Sequence, residues 1–312
     1  MTELLDTPSL TTELRHLAGE GALDLPLPAG GRTWERWRAL AALGARDLAL
    51  ARLAEGHTDA LAILAEAGRE PVPDALYGVW AAKSGGTGAK LDRGRLSGTV
   101  RFCSGAHFLD RALVAADDLL VEVDLTREGI ERDASSWQAI GMAESDSADV
   151  LFHELPVAPD DVIGSPGWYV SRPGFAHGSC GVAAVWLGGA EGVLADVAAY
   201  LRSREPDEHQ LAHLGAMHTA IRATDALLEQ TAHAIDAHAE DPLSAAVCRA
   251  AAENCATTVL DRAPKVTGPT PLCRDRGFAQ RMSDLLVYVR QHHAERDLAA
   301  LGREARYDGA MR

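Results

Sequence analysis

The chain has 312 residues, of which 47% are hydrophobic and 5% aromatic, and its formal net charge at pH 7 is −15. A chain of this length can bury a large core, and the scarcity of aromatic residues favours aliphatic side chains packed mainly by helices. The acidic balance argues against nucleic acid as a partner, because phosphate binding depends on basic surface.

The cysteines and the N-terminus limit the class of protein further. The five cysteines contain no CxxC pair and no regular interval, which argues against both a disulfide framework and a zinc site. The opening MTELLDTPSLTTELRH has acids where a signal peptide has bases. No apolar run approaches the length needed to span a bilayer. We therefore expect a cytoplasmic protein with no metal centre and no membrane partner.

Helical periodicity dominates the first part of the chain. A short helix is predicted around residues 11–18. Apolar residues at three- and four-residue steps predict two or three more helices over residues 33–67, with breaks at Gly44 and Gly56. Two prolines, Pro71 and Pro73, then mark a boundary.

The region that follows, up to residue 164, has short β-branched runs separated by turns. This texture predicts a small antiparallel sandwich or barrel. The candidate strands are residues 76–81, 94–103, 111–116, 119–123 and 149–155.

One stretch of this region, GRLSGTVRFCSGAH over residues 94–107, combines a strand pattern with a turn of small residues. Alternate residues up to Phe102 fall on one face, as in a strand with one buried side. The small residues Ser104-Gly105-Ala106 then end the strand and would let a flat ligand approach the backbone. A hairpin corner with a glycine bulge is the structural alternative.

From Gly181 onward the sequence predicts a bundle of four antiparallel helices. The later helices are expected at about residues 209–239, 241–260 and 277–301, and the glycines at 188, 189 and 192 permit a close helix crossing. The predicted architecture is α+β and mostly α. Its parts are an N-terminal helical segment over residues 1–72, a small β-domain over 73–165 and a four-helix bundle over 166–312.

Two adjacent histidines near the C-terminus stand out. His292 and His293 continue the apolar stripe of the last predicted helix, which includes Leu285, Leu286 and Val289. At least one imidazole is therefore expected to be enclosed. A core histidine bonded to a carbonyl and a histidine with a site role both fit this pattern.

Helices, a small β-domain and a four-helix bundle, in this order, resemble the acyl-CoA dehydrogenase superfamily. Residues 94–106 are similar to its G-x-x-L-x-G-x-K-x-[WF]-[IC]-[TS] strand, and residues 137–164, WQAIGMAESDSADVLFHELPVAPDDVIG, to its G-M-R-x-[ST]-x-[ST] signature. The resemblance implies FAD as cofactor. It also implies that Phe102 packs against the isoalloxazine ring and that Cys103 and Ser104 make polar contacts at the ring edge.

Several family elements are replaced in this sequence. Ala81 stands where the family has a flavin-contacting threonine, and Trp80 and Thr87 could compensate. The R-x-x-F-G element that holds the adenine end of FAD is absent from residues 202–206. The G-G-x-G-[YF] loop is reduced to Gly-Pro-Thr-Pro at residues 268–271.

The catalytic base also differs. Aligning Ser283-Asp284 with the family's Arg-Asp pair puts His292 where dehydrogenases carry glutamate. His292 is thus the candidate base, since a histidine can accept a proton near neutral pH. Glu295 is the carboxylate alternative.

Three functions follow from the resemblance. The first is a flavin-dependent dehydrogenase that removes an α-proton from an acyl thioester such as acyl-CoA while the flavin accepts the β-hydride. The second is a member that has lost catalysis and acts as a binding or scaffold protein. The third is a flavin monooxygenase that uses separately supplied reduced flavin. In each case the resemblance implies a homodimer or homotetramer.

Overall fold

The computed structural model describes residues 9–82 and 86–307, which divide into two compact units. The sheet unit comprises the described residues of Met1–Leu25, Arg52–Gln138 and Glu144–Arg172. The bundle unit comprises Pro26–Ala51, Ala139–Ala143 and the described part of Pro173–Arg312. The predicted α+β, mostly helical architecture is confirmed. The boundaries at 72/73 and 165/166 stay a prediction.

Helices occur at both ends of the described chain. In order they are α1 (Leu10–Gly19), α2 (Thr33–Arg46), α3 (Leu48–Glu66), α4 (Trp168–Ser171), α5 (Pro173–Arg202), α6 (Glu208–Asp236), α7 (Ser244–Thr267), α8 (Pro269–Arg274), α9 (Arg276–Tyr288) and α10 (Glu295–Ala305).

The strands lie between α3 and α4 and form one mixed sheet. They are β1 (Tyr77–Trp80), β2 (Gly88–Asp92), β3 (Arg95–Cys103), β4 (Arg111–Ala116), β5 (Leu119–Asp124), β6 (Ile130–Asp133), β7 (Ala148–Pro156) and β8 (Val162–Ile163). The order is β6-β7-β3-β2-β4-β5-β8, with β1 beside β4. Most pairs are antiparallel as predicted, but β4 pairs in parallel with both β1 and β2.

The sheet unit closes its core between the second part of α3 and one face of the sheet. Ala60, Ile63 and Leu64 lie at three- and four-residue steps on α3, so they share one helix face. They pack with Tyr77 of β1 and with buried residues of β4, β5 and β8, which are Leu113, Leu120 and Ile163. Burial of this apolar surface is the main force that holds α3 on the sheet.

In the bundle unit, α5 crosses α2 at small residues. A Cβ added to Gly188 would lie 1.9 Å from the Ala41 carbonyl oxygen, and one added to Gly44 would lie 2.5 Å from the Val185 carbonyl oxygen. The predicted close crossing at the α5 glycines is thus confirmed. The predicted break at Gly44 is wrong, because this glycine provides contact space inside α2. Gly56 likewise lies inside α3.

The last predicted helix, over residues 277–301, is interrupted. α9 ends at Tyr288, a 3₁₀ turn covers Val289–Gln291, and α10 starts at Glu295. At the start of α10, the carboxylate of Asp297 in its first turn accepts the His293 backbone N–H at 3.0 Å. His292 and His293 therefore leave the helical stripe.

α5 also corrects the expectation that no apolar run could span a bilayer. This helix is long and apolar enough by length and composition, with a mean hydropathy of 1.5 over its most apolar stretch. In the structure 61% of that stretch is buried inside the protein. Buried core helices of soluble proteins commonly have this composition.

Candidate functional site

β3 ends in a distorted segment that turns an aromatic ring outward. The pairing of β3 with β7 shifts register between Val100 and Cys103. Phe102 within this shift has φ 58° and leaves 52% of its surface exposed. A bulky residue in the left-handed region costs about 1–3 kcal/mol and persists only where its surroundings enforce it. The bulge alternative is thus present, but it falls on Phe102.

The next two residues turn inward. The buried Cys103 thiol donates to the Val100 carbonyl oxygen at 3.3 Å, and burial raises the pKa of this thiol. Ser104 is buried as well, and its Oγ lies 2.8 Å from Ser147 Oγ. Cys103 can therefore offer a ligand only its backbone, whereas Ser104 carries a hydroxyl two residues after the exposed Phe102.

Trp80 supports this segment from β1. Its indole N–H donates to the Ser104 carbonyl oxygen at 3.1 Å, and only 2% of Trp80 is exposed. Trp80, Ser104 and Arg52 line a small cavity. Thr87 is half-buried just before β2. Direct flavin contacts of Trp80 and Thr87 stay a prediction, and the observed role of Trp80 is to hold the Ser104 backbone.

The turn after Ser104 is fastened to the segment that precedes β7. Gly105 donates its N–H to the Ser145 carbonyl oxygen at 2.9 Å. His107 bonds Asp146 twice, through its backbone N–H at 2.7 Å and through Nδ1 at 2.8 Å. Because these bonds join two segments distant in sequence, they fix the place of Ser104.

Two functional candidates were missed in the sequence, Ser145 and Ser147. Ser147 Oγ lies 2.8 Å from Ser104 Oγ and 2.8 Å from Ser145 Oγ, so three buried hydroxyls stand in line. The available signal was the S-x-S spacing within residues 137–164, which matches the [ST]-x-[ST] part of the family signature. The spacing alone does not indicate that Ser104 joins the line.

His292 lies in the interruption between α9 and α10 of the bundle unit. It is 3% exposed, and its Nδ1 is buried without a hydrogen-bond partner among the described residues. Burial lowers the pKa of His292, and Asp297 and Glu253 oppose that shift. The expected enclosed imidazole is thus confirmed. His293 is exposed.

Arg249 of α7 holds the turn that precedes His292. Its guanidinium donates to the Gln291 carbonyl oxygen at 3.3 Å and to the Ser179 carbonyl oxygen at 3.2 Å. It also lies 4.7 Å from the centre of the Trp186 ring. These contacts give the interrupted helix a fixed geometry.

The remaining candidate, Glu295, is exposed at the first position of α10. Both acid–base candidates, His292 and Glu295, belong to the bundle unit, whereas Trp80 and the residues from Thr87 to Ser104 belong to the sheet unit. In the described part of the chain, no three His, Cys, Asp or Glu side chains are grouped to hold a metal.

Part of the chain matches a known family profile. Residues 165–289 match the profile of the acyl-CoA dehydrogenase C-terminal domain. This match, which covers the bundle part of the chain, supports the resemblance to the acyl-CoA dehydrogenase superfamily.

The curated relatives that match carry monooxygenase names. A dibenzothiophene monooxygenase of Rhodococcus erythropolis is 28% identical over 172 residues, which are 45% of this chain and 40% of that protein. One of Mycolicibacterium goodii is 28% identical over 146 residues, or 40% of this chain and 34% of that protein. The chain thus matches well under half of the length of these relatives.

Solved structures resemble the fold over nearly the whole chain. TdsC from Paenibacillus sp. A11-2, solved with FMN and indole, has a TM-score of 0.77 at 19% identity and covers 94% of both chains. The methanesulfinate monooxygenase MsuC from Pseudomonas fluorescens has a TM-score of 0.76 at 20% identity, covering 96% of this chain and 97% of its own. KijD3, solved with FMN and a dTDP-sugar, reaches 0.79 at 18% identity, covering 92% and 84%.

The end of β3 suits a flavin ring. Phe102 exposes half of an apolar aromatic surface on a strained backbone, and such surface favours a flat aromatic partner. Ser104, two residues further along the chain, adds a buried hydroxyl that lies 2.8 Å from Ser147 Oγ. The residues present therefore fit the ring of the cofactor, through Phe102 for packing and Ser104 for a polar contact.

Proposed function

We propose that this protein is a flavin-dependent monooxygenase that binds FMN and uses its reduced form with dioxygen. The observation that carries the proposal is the sequence relation to dibenzothiophene monooxygenases, at 28% identity over 172 residues. The folds of TdsC and MsuC support it over almost the full chain. In such a reaction one oxygen atom enters the substrate and the other leaves as water, while reduced FMN becomes FMN.

FMN is favoured over FAD because of what the sequence lacks. The elements that hold the adenine end of FAD in the superfamily are replaced at residues 202–206 and 268–271. FMN has no adenine and needs neither of them. Two neighbouring folds were solved with FMN. We therefore revise the expected cofactor from FAD to FMN.

The flavin would supply the two electrons for oxygen reduction, and the protein would bind and orient it. Phe102 would pack on the ring and the Ser104 hydroxyl would bond its edge. The Trp80 indole N–H donates to the Ser104 carbonyl oxygen and so fixes the backbone of this residue. His292 would be the proton acceptor, and burial lowers its pKa.

Desaturation of an acyl thioester is the less supported function. It requires a strong base at the position that His292 occupies, and the lowered pKa of His292 makes it a weak one. The curated relatives named above carry monooxygenase names and none is a dehydrogenase.

The first test measures flavin binding. The Kd values of FMN and FAD are determined for the purified protein, with oxidised flavin in air and with reduced flavin under anaerobic conditions. We expect FMN to bind more tightly than FAD. Phe102→Ala should raise the Kd of FMN about tenfold, since an aromatic packing contact contributes about 0.5–1.5 kcal/mol beyond its buried area. Val170→Ala is the matched control, because Val170 is an exposed hydrophobic residue of the same unit.

The second test measures oxygen use. Reduced FMN is supplied by a separate flavin reductase, and oxygen uptake is followed with and without indole or dibenzothiophene as a probe. We expect uptake, and we expect transfer of label from ¹⁸O₂ to a probe that is a substrate. Failure to bind either flavin would refute the proposal. Reduction of bound flavin by an acyl-CoA would replace it with the dehydrogenase function. Flavin binding without either activity would favour a binding protein.

A further inference from the structure

The three serine hydroxyls at the end of β3 form a hydrogen-bonded line. Ser104, Ser147 and Ser145 are all buried, and each neighbouring pair of Oγ atoms is 2.8 Å apart. Backbone bonds keep the line in place, since the N–H of Gly105 donates to Ser145 and that of Ala106 donates to the Asp146 carbonyl oxygen at 3.2 Å. The hydroxyls are therefore held by the fold and by one another.

Such a line can run in two directions. Each hydroxyl has one hydrogen to donate and can accept in return, and either atom of both pairs can be the donor. If Ser104 donates to Ser147, it presents only a lone pair to a ligand. If Ser147 donates to Ser104, the hydrogen of Ser104 is available to the ligand. The direction of the line sets whether Ser104 is a donor or an acceptor.

The Ser104 hydroxyl has little else to bond. The nearby indole of Trp80 donates to the Ser104 carbonyl oxygen and leaves the hydroxyl free for the line. Among the described residues, Ser147 is the hydrogen-bond partner of Ser104 Oγ. In a buried setting an unpaired hydroxyl hydrogen is costly, so Ser104 depends on Ser147 whenever it does not donate to a ligand.

A flavin ring makes opposite demands in its two redox states. The central edge nitrogen of oxidised flavin accepts a hydrogen bond, whereas in reduced flavin the same nitrogen carries a hydrogen and donates. We propose that Ser147 and Ser145 are positioning residues that let Ser104 change from donor to acceptor when the flavin is reduced. This inference rests on the proposed flavin site. With oxidised flavin, Ser147 donates to Ser104 and Ser104 donates to the flavin. With reduced flavin, Ser104 donates to Ser147 and Ser147 donates to Ser145.

Breaking the line of hydroxyls should affect the binding of the two redox states of the flavin differently. In Ser147→Ala, Ser104 can still donate to oxidised flavin and loses only the hydrogen bond that it accepted from Ser147. With reduced flavin, however, Ser104 must accept, and its own hydrogen then has no partner. Binding of reduced FMN should therefore weaken more than binding of oxidised FMN.

The experiment measures the Kd of oxidised and reduced FMN, together with the reduction potential of bound FMN. We expect Ser147→Ala to raise the ratio of reduced to oxidised Kd about tenfold, which lowers the two-electron potential by about 30 mV. Ser147→Thr keeps a hydroxyl and should retain the wild-type ratio. Ser97→Ala is the matched control, because Ser97 lies on β3 and bonds Glu154 away from the line.

The outcomes separate the inference from the function on which it rests. If wild-type protein binds FMN in neither state, the proposed function fails and the inference with it. If wild type binds both states but Ser147→Ala changes both Kd values equally or leaves them unchanged, only the inference fails. Should Ser147→Ala not fold, Ser145→Ala replaces it. That variant leaves the hydrogen of Ser147 unpaired in the reduced state and should shift the ratio in the same direction.

Discussion

The backbone N–H of Met142 donates to Asp284 Oδ1 at 2.5 Å, which joins the Gly-Met pair of the signature to α9 inside the bundle unit. The preceding Gly141 lies directly on the α9 backbone, since an added Cβ would stand 2.0 Å from the Ser283 carbonyl oxygen. Burial raises the pKa of Asp284, and the bonds from Met142 and Gln280 oppose that shift. Glycine is needed at position 141 for space, so that the next N–H can reach the carboxylate.

The close approach of Gly141 to the α9 backbone predicts that a methyl group added at position 141 lowers stability. Gly141→Ala should destabilise the protein by about 2 kcal/mol or more, because the added Cβ must push a backbone oxygen aside. Gly215→Ala in α6 is the control, since no atom lies within 4 Å of its added Cβ. Alanine there should raise stability by up to about 1 kcal/mol through helix propensity. Urea unfolding measures both changes, and equal effects of the two substitutions would contradict the packing argument.

The strain at Phe102 can be separated from its ligand contact. Phe102→Gly removes the clash of a side chain at φ 58° and exposes little buried surface, because Phe102 is already half-exposed. We expect the free energy of unfolding to stay within about 1 kcal/mol of wild type or to rise.

FMN binding should weaken about tenfold in the same variant, since the packing surface is lost. Thermal unfolding and fluorescence titration with FMN measure the two effects. A large loss of stability with unchanged FMN affinity would mean that Phe102 serves the fold and has no role at the flavin.

The sequence predicted the parts of the fold that depend on local pattern. The strand at residues 111–116 was predicted with the observed ends, because its apolar run is bounded by turn residues. The interruption before His292 was missed, because neither proline nor glycine marks it. The carboxylate of Asp297 and the contacts of Arg249 from α7 hold this segment.

The candidate site was predictable only in part for the same reason. Phe102 and Ser104 follow from a strand motif, which is local. The partnership of Ser104 with Ser147 depends on the pairing of β3 with β7, which no local pattern contains. Leu286 fell on the predicted buried stripe of the last helix but is 57% exposed, because periodicity does not indicate how wide the covered face is.

Thiol reactivity should follow burial. Of the five cysteines only Cys273 is exposed. Burial raises the pKa of Cys103, and it raises the pKa of Cys255 to about 11, so these thiols also lack the reactive thiolate at neutral pH. Ellman's reagent should therefore titrate one thiol in the native protein and five in guanidinium chloride. Cys273→Ser should remove the native reaction, and rapid native titration of a second thiol would contradict the buried assignment.

The last prediction concerns acid stability and His57 in the sheet unit. His57 is 5% exposed, and its Nδ1 accepts the Tyr77 backbone N–H at 3.2 Å. Burial lowers the pKa of His57 from 6.5 to about 4, while Asp24 acts in the opposite direction. The unfolded chain therefore binds a proton at higher pH than the folded chain does.

Neutral His57 makes its full contribution to the free energy of unfolding above about pH 6.5. This contribution falls by an amount on the order of 3 kcal/mol as the pH decreases toward about 4. His57→Asn removes the titration and keeps an oxygen that can accept the Tyr77 N–H. The difference in unfolding free energy between wild type and this variant should shrink steadily from about pH 6.5 to about pH 4.5.

The comparison of wild type with His57→Asn also cancels the pH-dependent contribution of a second buried group, Glu55. Burial raises the pKa of Glu55 to about 7, so this carboxyl stabilises the fold below about pH 4.5 and loses that contribution as the pH rises through 7. Its effect has the opposite sign to that of His57 but is present in both proteins, so the difference isolates His57. If the free energy of unfolding of wild type minus that of His57→Asn stayed constant from about pH 7 to about pH 4.5, His57 would not be held neutral by burial.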